Sequence, residues 1–236
     1  MARKPQRPPS TPKTPPALPP PVGTDRDKIV AAFMALLAEK RFEEIGFGEI
    51  ASRSGLTLAN CRAEFGSTLA IYAAHVKDLD RKVLAGASGD MAEEPPRERL
   101  FDVLMRRIEA MAPYREATRS LLKSVSRNPG LALALNGFAA RSQAWMLTAA
   151  DIDAAGPRGM VRAQGLAMLF ASVLRTWVDD EDDNARTMAA LDRALARGQR
   201  WSGMLDDLCR FRPPGFLCRR RRRTRDAYED EEPAAA

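Results

Sequence analysis

Side chains that can bind the phosphates and base edges of a nucleic acid lie close together between residues 55 and 70. Arg62 carries a forked guanidinium that can donate two hydrogen bonds to one phosphate, and Asn60 carries an amide that can pair with adenine. Two threonines can donate hydroxyls, whereas a leucine and an alanine offer only apolar contact, such as with a thymine methyl. The six candidate residues are Thr57, Leu58, Ala59, Asn60, Arg62 and Thr68.

The spacing of apolar residues predicts the helices that would position these side chains. From Thr24 onward the apolar residues recur at helical intervals, and no run alternates with period two, so the folded part is predicted to be all-α. We expect a short helix over 48–54, a turn at Gly55, and a second short helix over 58–64 that Thr57 caps. The predicted buried seam of these helices consists of Ile50, Ala51, Leu56, Cys61 and Phe65.

Several short motifs follow one another in a fixed order over residues 25–72. The second predicted helix contains EIA, the turn contains GLT, Phe65 closes the third helix and Ser67 opens a fourth. In this order the stretch resembles the N-terminal domain of TetR-type transcriptional regulators, and the resemblance implies a helix-turn-helix that binds double-stranded DNA. Arg62 stands where that family usually has a tyrosine and Thr68 where it usually has a lysine, so two of the phosphate contacts are altered.

The same resemblance implies a TetR-like architecture, in which a three-helix N-terminal domain precedes a larger helical domain that binds a ligand and dimerises. The family usually pairs through its last long helices, which implies a homodimer formed by residues 158–178 and 184–211. Apolar periodicity and proline positions predict the helices of this domain. Their expected ranges are 97–111, 114–127, 130–150, 158–178, 184–198 and 200–211.

Methionine and aromatic side chains on these helices are candidates for a cavity that holds a small apolar ligand. Such side chains adapt their shape to apolar guests, but the same pattern is also typical of an ordinary helical core. The candidate ligand-binding residues are Met105, Ile108, Met111, Phe138, Trp145, Met146, Met168 and Phe170, with Leu169 beside the last two.

A second resemblance points to a different function. Residues 175–195, with a tryptophan, an acidic loop, a threonine and LDxxL, resemble TetR-fold accessory proteins of ubiquinone biosynthesis. The resemblance implies binding of isoprenoid lipid and a helix-turn-helix that does not bind DNA. An apolar stripe over 201–211 could cover a core, a partner subunit or a membrane interface. Its members are Trp201, Met204, Leu205, Leu208 and Phe211.

The two ends of the chain differ in composition from its middle. Residues 1–22 hold nine of the 17 prolines, four basic residues and no acidic ones. We expect this segment to be a disordered basic arm that either follows DNA phosphates or aids solubility. The predicted organisation continues with a helix-turn-helix domain and its linking fourth helix over 23–84, a ligand-binding and dimerisation domain over 85–212, and an arginine-rich, then acidic, tail over 213–236. The basic residues of the arm are Arg3, Lys4, Arg7 and Lys13.

Composition argues against several other functions. The three cysteines have no CxxC spacing, so neither a disulfide framework nor a metal site is expected, and a reducing cytoplasm fits best. No apolar run reaches the roughly 18 residues of a membrane span, and no secretory signal is recognised. His75 is the single histidine and has no nucleophile or metal-ligand motif near it in sequence, so we expect neither catalysis nor a cofactor.

Overall fold

The computed structural model describes residues 23–86, 93–181 and 183–210, with residues 200–210 as backbone only. All regular structure in these residues is helical, which confirms the predicted all-α class. Short 3-10 helices at Phe42–Glu44 and Ala112–Tyr114 join some of the longer elements. The α-helices are α1 Asp25–Glu39, α2 Phe47–Ser54, α3 Leu58–Glu64, α4 Thr68–Ala85, α5 Pro96–Met111, α6 Arg115–Val125, α7 Pro129–Ala149, α8 Gly156–Trp177 and α9 Ala185–Arg210.

Side chains cap the N-termini of α1 and α7. The backbone amide of Asp27 donates to Oγ1 of Thr24 (3.3 Å), and the amide of Thr24 donates back to the Asp27 carboxylate (3.0 Å). At α7 the amide of Leu131 donates to Oδ1 of Asn128 (3.0 Å), and Pro129 takes the first helical position, where no backbone donor is needed. The sequence therefore specifies these helix starts through residues three positions apart.

A first hydrophobic cluster joins α1, α2 and α3 to later helices. Its fully buried members include Phe33, Ile50 and Cys61. Ala117 and Leu121 of α6 belong to the same cluster, because α6 packs along α1. The hydroxyl of Ser124 also accepts a hydrogen bond from the amide of Phe42 (3.1 Å). The core beneath the helix-turn-helix is thus completed by α6, a helix that follows α4 and α5 in the chain.

A second hydrophobic cluster occupies the space among α4, α5, α7, α8 and α9. Its fully buried side chains include Leu104, Ile108, Met146, Trp177 and Leu191. Helix α4 spans both clusters, since Ile71 near its start lies in the first and Leu79 and Val83 near its end lie in the second. This helix therefore connects the helix-turn-helix physically to the larger helical region.

The predicted break between helices over 184–198 and 200–211 is wrong, because α9 continues through Gly198 to Arg210. A glycine inside a helix costs about 1 kcal/mol relative to alanine, which is too little to stop a well-packed helix. A methyl group on Gly198 would lie 3.5 Å from Cδ1 of Leu169, so this residue lies close to α8. Packing between α8 and α9 therefore overrides the local signal.

Some of the predictions concern parts of the chain outside the described residues. These are the basic arm over 1–22, the tail over 213–236 and the side chains of the apolar stripe over 201–211. Among the helices that the structure describes, none is both long enough and apolar enough to cross a membrane.

Candidate nucleic-acid interface

The turn between α2 and α3 has the geometry that the sequence predicts. Gly55 adopts φ 70° and ψ 21°, a left-handed conformation that favours glycine, and the next amide, of Leu56, donates to the carbonyl of Ala51 (3.1 Å). Thr57 is extended and its Oγ1 accepts from the backbone amide of Asn60 (3.2 Å), so α3 begins at Leu58. The turn directs α3 away from α2 without a long loop.

The buried face of α3 determines which side chains face solvent. Cys61 is fully buried and Phe65 is nearly so, and both pack in the first hydrophobic cluster. The predicted seam also includes Leu56, which is only half-buried. On the opposite side Leu58 is 57% exposed, although it is a large apolar residue. The other candidate residues are exposed as well, except Thr68, which is half-buried. The exposed ones are Thr57, Ala59, Asn60 and Arg62.

The polar atoms of the Asn60 side chain have partners within the protein. The Thr57 hydroxyl donates to Oδ1 of Asn60 (2.6 Å), and Nδ2 of Asn60 donates to the carboxylate of Asp25 at the start of α1 (3.2 Å). Asp25 also accepts from Nζ of Lys28 (3.2 Å). The hydrogen bonds from Lys28 and then Asn60 hold the pKa of the Asp25 carboxyl below its usual value of 3.8. Asp25 is therefore charged at neutral pH and lies directly beside α3.

Asp25 was not among the residues singled out by the sequence. It lies 35 residues before Asn60, and at the first turn of α1 an acidic residue is typical because it complements the helix dipole. Composition and spacing therefore gave no reason to connect Asp25 with the candidate interface.

Most basic residues of α1–α3 and the adjoining turns are paired with carboxylates. These ion pairs neutralise much of the positive charge that phosphate binding would require. Arg62 differs from them, because no described carboxylate lies within 4.0 Å of its guanidinium, and this group extends towards Gly66 instead. The observed pairs are Arg26–Asp78, Lys28–Asp25, Lys40–Glu49, Arg41–Glu44 and Arg53–Glu39.

The structure separates the candidate ligand-binding residues into interior and surface groups. Trp145 is 54% exposed and Met168 is 67% exposed, so these two side chains do not face the interior, contrary to the expectation of a shared cavity. They project from α7 and α8 on sides that do not meet the second cluster. Met105 and Phe138 are half-buried. The buried candidates are Ile108, Met111, Met146 and Phe170, and the adjacent Leu169 is half-buried.

A buried ion pair lies among the interior candidates. Arg107 of α5 is 5% exposed and pairs with the carboxylate of Asp80 on α4, which also accepts from the hydroxyl of Ser142 on α7 (2.7 Å). The guanidinium lies 5.8 Å from the centre of the Phe170 ring and 3.9 Å from the sulfur of Met146. Two of the interior candidates for apolar ligand contacts, Met146 and Phe170, therefore lie beside a buried charge.

Titratable side chains do not form a metal site in the part of the chain that the structure describes, since no three histidine, cysteine or carboxylate groups come close enough together. His75 is buried on α4 beside Tyr114, with the two rings 4.4 Å apart between centroids and nearly perpendicular. This arrangement is typical of a packed histidine.

The fold matches solved structures of TetR transcriptional regulators. The structure of the regulator from Nitrosomonas europaea superposes with a TM-score of 0.59 at 23% sequence identity, covering 75% of this chain and 99% of that one. A regulator from Rhodococcus sp. RHA1 gives a TM-score of 0.53 at 19% identity, covering 74% of this chain and 95% of that one. No family model matches the sequence, and no curated protein matches it significantly. The chain therefore has the TetR-type fold.

Proposed function

We propose that the protein is a homodimeric TetR-type transcriptional regulator that binds double-stranded DNA through α3 and responds to a small apolar ligand. The observation that carries this proposal is the geometry from Gly55 to Arg62. The positive-φ turn and the capped start of α3 leave Leu58, Ala59 and Arg62 in solvent, while the opposite face of the helix is core. Such a helix, supported on one side and free on the other, can enter a major groove.

The candidate DNA contacts divide into those that position the protein and those that can read a base. Arg62 and the hydroxyl of Thr68 are proposed to bind phosphates, and the Thr57 hydroxyl is proposed to do so only where it gives up its hydrogen bond to Asn60. Leu58 and Ala59 are proposed to lie against thymine methyl groups. Because the described cations of α1–α3 other than Arg62 are paired, this face supplies little net positive charge.

We propose that the basic arm supplies much of the missing positive charge. Residues 1–22 carry four basic and no acidic residues. The hydrogen bond between Asp25 and Asn60 brings the start of α1 to the side of α3, so the chain that precedes α1 joins the protein beside the proposed DNA-binding helix. A basic segment attached at this point can reach phosphates that flank the site of α3.

Removing residues 1–22 is expected to weaken DNA binding and to reduce its salt dependence. Four phosphate contacts correspond to a slope of about 3.6 in log K against log salt. Between about 50 and 200 mM salt the intact protein should therefore lose roughly a hundred-fold more affinity than the truncated form. Arg62→Ala should lower the slope by about 0.9, which corresponds to one phosphate. The measurement is fluorescence anisotropy with the DNA upstream of the protein's own gene, over a salt series.

Two controls separate charge from other effects of these changes. Replacing Arg3, Lys4, Arg7 and Lys13 together with glutamine keeps the arm's length and should reproduce the truncation. Arg53→Ala removes a cation that is paired with Glu39 and should change the slope less than Arg62→Ala. If the truncated and intact proteins have equal slopes, the arm does not bind phosphate. If the intact protein binds no DNA at low salt, the regulator proposal fails.

Ligand control is proposed to act through α4. This helix joins the helix-turn-helix to the second cluster, where Met105, Ile108, Met111, Met146 and Phe170 remain candidate ligand contacts. A ligand that fits one arrangement of α4 better than another would shift the distance between the two α3 helices of a dimer. Its effect is limited to its difference in affinity for the two arrangements.

We propose that α8 and α9 form the dimer surface. An open groove of about 630 Å³ lies between them, lined by small residues such as Ser172 and Ala196 and by the charged residues Asp192, Arg193 and Arg197. The same helices expose Met168 and Met188, and large exposed apolar side chains on neighbouring helices are typical of a covered interface.

Met168→Asp is expected to weaken dimerisation, because each copy would bury an unpaired charge in the interface. The dissociation constant of the dimer should rise on the order of ten-fold or more. Sedimentation equilibrium measures this constant directly. Leu133→Asp on α7 is the matched control, because Leu133 is also a large exposed apolar residue, at 75% exposure, but lies outside the proposed surface. Equal effects of both substitutions would contradict an α8–α9 dimer.

A lipid-binding protein of the same fold is the second candidate function. Two observations favour it: the polar atoms of Asn60 already have partners, and most basic side chains around α3 are paired. The same protein preparations should therefore be tested against liposomes and isoprenoid lipids. Lipid binding without sequence-specific DNA binding would establish this second function and exclude the first.

A further inference from the structure

Asp25 is held against the proposed DNA-binding helix by a short network of hydrogen bonds. The network runs from the Thr57 hydroxyl to Oδ1 of Asn60 (2.6 Å), and from Nδ2 of Asn60 to the Asp25 carboxylate (3.2 Å). It joins the first turn of α1 to the first turn of α3. All three residues are at least partly exposed, so the network is reached easily from solvent.

Both functional ends of the Asn60 amide take part in this network. Recognition of adenine by asparagine needs the amide oxygen to accept and the amide nitrogen to donate in the same plane. With Oδ1 bonded to Thr57 and Nδ2 bonded to Asp25, Asn60 faces the start of α1. Rotation of the amide towards a base would require the bond to Asp25 to break.

Asp25 also adds an unfavourable charge at this place. Among the described residues, Lys28 is the cation within ion-pair distance of Asp25. Its Nζ lies 3.2 Å from the Asp25 carboxylate, and Lys28 itself lies one turn further along α1. A carboxylate beside the DNA-facing end of α3 repels phosphates. A purely structural role for Asp25 does not require a bond to α3, since Lys28 and the helix dipole already stabilise its charge.

We propose that Asp25 is a positioning residue that determines base preference by holding Asn60 away from the base edges. This inference rests on the proposed DNA-binding function. In the intact protein, Leu58 and Ala59 then dominate readout through apolar contacts, and Asn60 contributes little. Releasing Asn60 adds recognition of adenine at one position in each half-site.

The contact itself is tested in the free protein, without DNA. In a proton–nitrogen correlation spectrum, Asp25→Ala should displace the side-chain amide resonances of Asn60. Glu49→Ala removes a carboxylate that pairs with Lys40 on the same domain but does not contact Asn60, and it should leave these resonances in place. The side-chain amides of Asn128 and Asn136, which have other partners, are internal references. Unchanged Asn60 resonances in Asp25→Ala overturn the proposal.

The effect on base preference is tested by selection from a pool of random DNA duplexes at low salt. Asp25→Ala should gain a preference for adenine at one position per half-site, by about ten-fold, the ratio expected for one good side-chain pair with a base. The double variant Asp25→Ala/Asn60→Ala should lose this preference. Both Asp25→Ala and Glu49→Ala should raise affinity for all sequences, because each removes a negative charge.

The outcomes separate this inference from the proposed function. If the intact protein and Asp25→Ala select the same bases, the positioning role is overturned while DNA binding stands. A new adenine preference that persists without Asn60 also overturns it. If neither protein selects or binds any duplex at low salt, the proposed DNA-binding function fails and the positioning role fails with it.

Discussion

Asp80→Ala is expected to lower the free energy of unfolding by about 3–5 kcal/mol, the usual cost of leaving one partner of a buried ion pair alone. Arg107 is 5% exposed and has the Asp80 carboxylate as its charge partner. Without that carboxylate the guanidinium keeps its charge, because arginine does not deprotonate in proteins. Ser142 would also lose its acceptor. Urea unfolding at fixed protein concentration measures the change.

Two further variants show whether the effect comes from the unpaired charge. Glu39→Ala breaks the exposed pair with Arg53 and should cost no more than about 1 kcal/mol. The double variant Asp80→Leu/Arg107→Met removes both charges and should recover much of the loss, since apolar replacements of buried pairs are often neutral or stabilising. Equal losses for Asp80→Ala and Glu39→Ala would show that the pair between α4 and α5 contributes little.

Lowering the pH from 6.5 to 4 is expected to destabilise the protein through His75, by about 3 kcal/mol over the whole interval. Burial lowers the pKa of this imidazole from 6.5 to about 4; Asp78 opposes the shift, while Lys82 and Arg107 add to it. The unfolded chain binds a proton below pH 6.5, whereas the folded protein does so only near pH 4. Stability from this residue is therefore complete above pH 6.5 and falls as the pH decreases towards 4.

His75→Phe separates this effect from the titration of carboxylates. Phenylalanine has a similar volume and can pack against Tyr114 in the same edge-on manner. Urea unfolding at about pH 7.5 and at about pH 5 gives the free energy of unfolding of each protein at both pH values. Between the two pH values the intact protein should lose about 2 kcal/mol more of this free energy than His75→Phe. The same pH dependence in both proteins would mean that His75 becomes protonated without cost in the folded state.

The interior charge at Arg107 also bears on the proposed ligand. Ligand binding in the second cluster would take place next to an ion pair that already balances its own charge. Burial of a further charge there is costly, which favours an uncharged ligand. Because Asp80 lies on α4, this ion pair connects the second cluster directly to the helix that follows α3.

Neighbouring residues in the sequence account for the elements that are predicted correctly. The range predicted for α3 agrees with the observed helix, because Gly55 permits the turn and Thr57 caps the next turn of helix. The burial of Ile50 and Cys61 follows from helical periodicity, since residues three and four apart share a face. The predicted helix end at Gly198 is wrong, since α9 is continuous there and packs along α8.

The all-α class, the turn before α3 and the identity of the side chains on its exposed face can be read from the sequence, because each depends on residues within about one helical turn. Packing between helices brings Asp25 to Asn60, pairs Asp80 with Arg107 inside the core, and leaves Trp145 and Met168 facing outward. These contacts depend on how whole helices rotate and pack against one another. Hydrogen bonds within a helix do not specify that rotation, so residues 35 and 27 positions apart can meet without a local signal in the sequence.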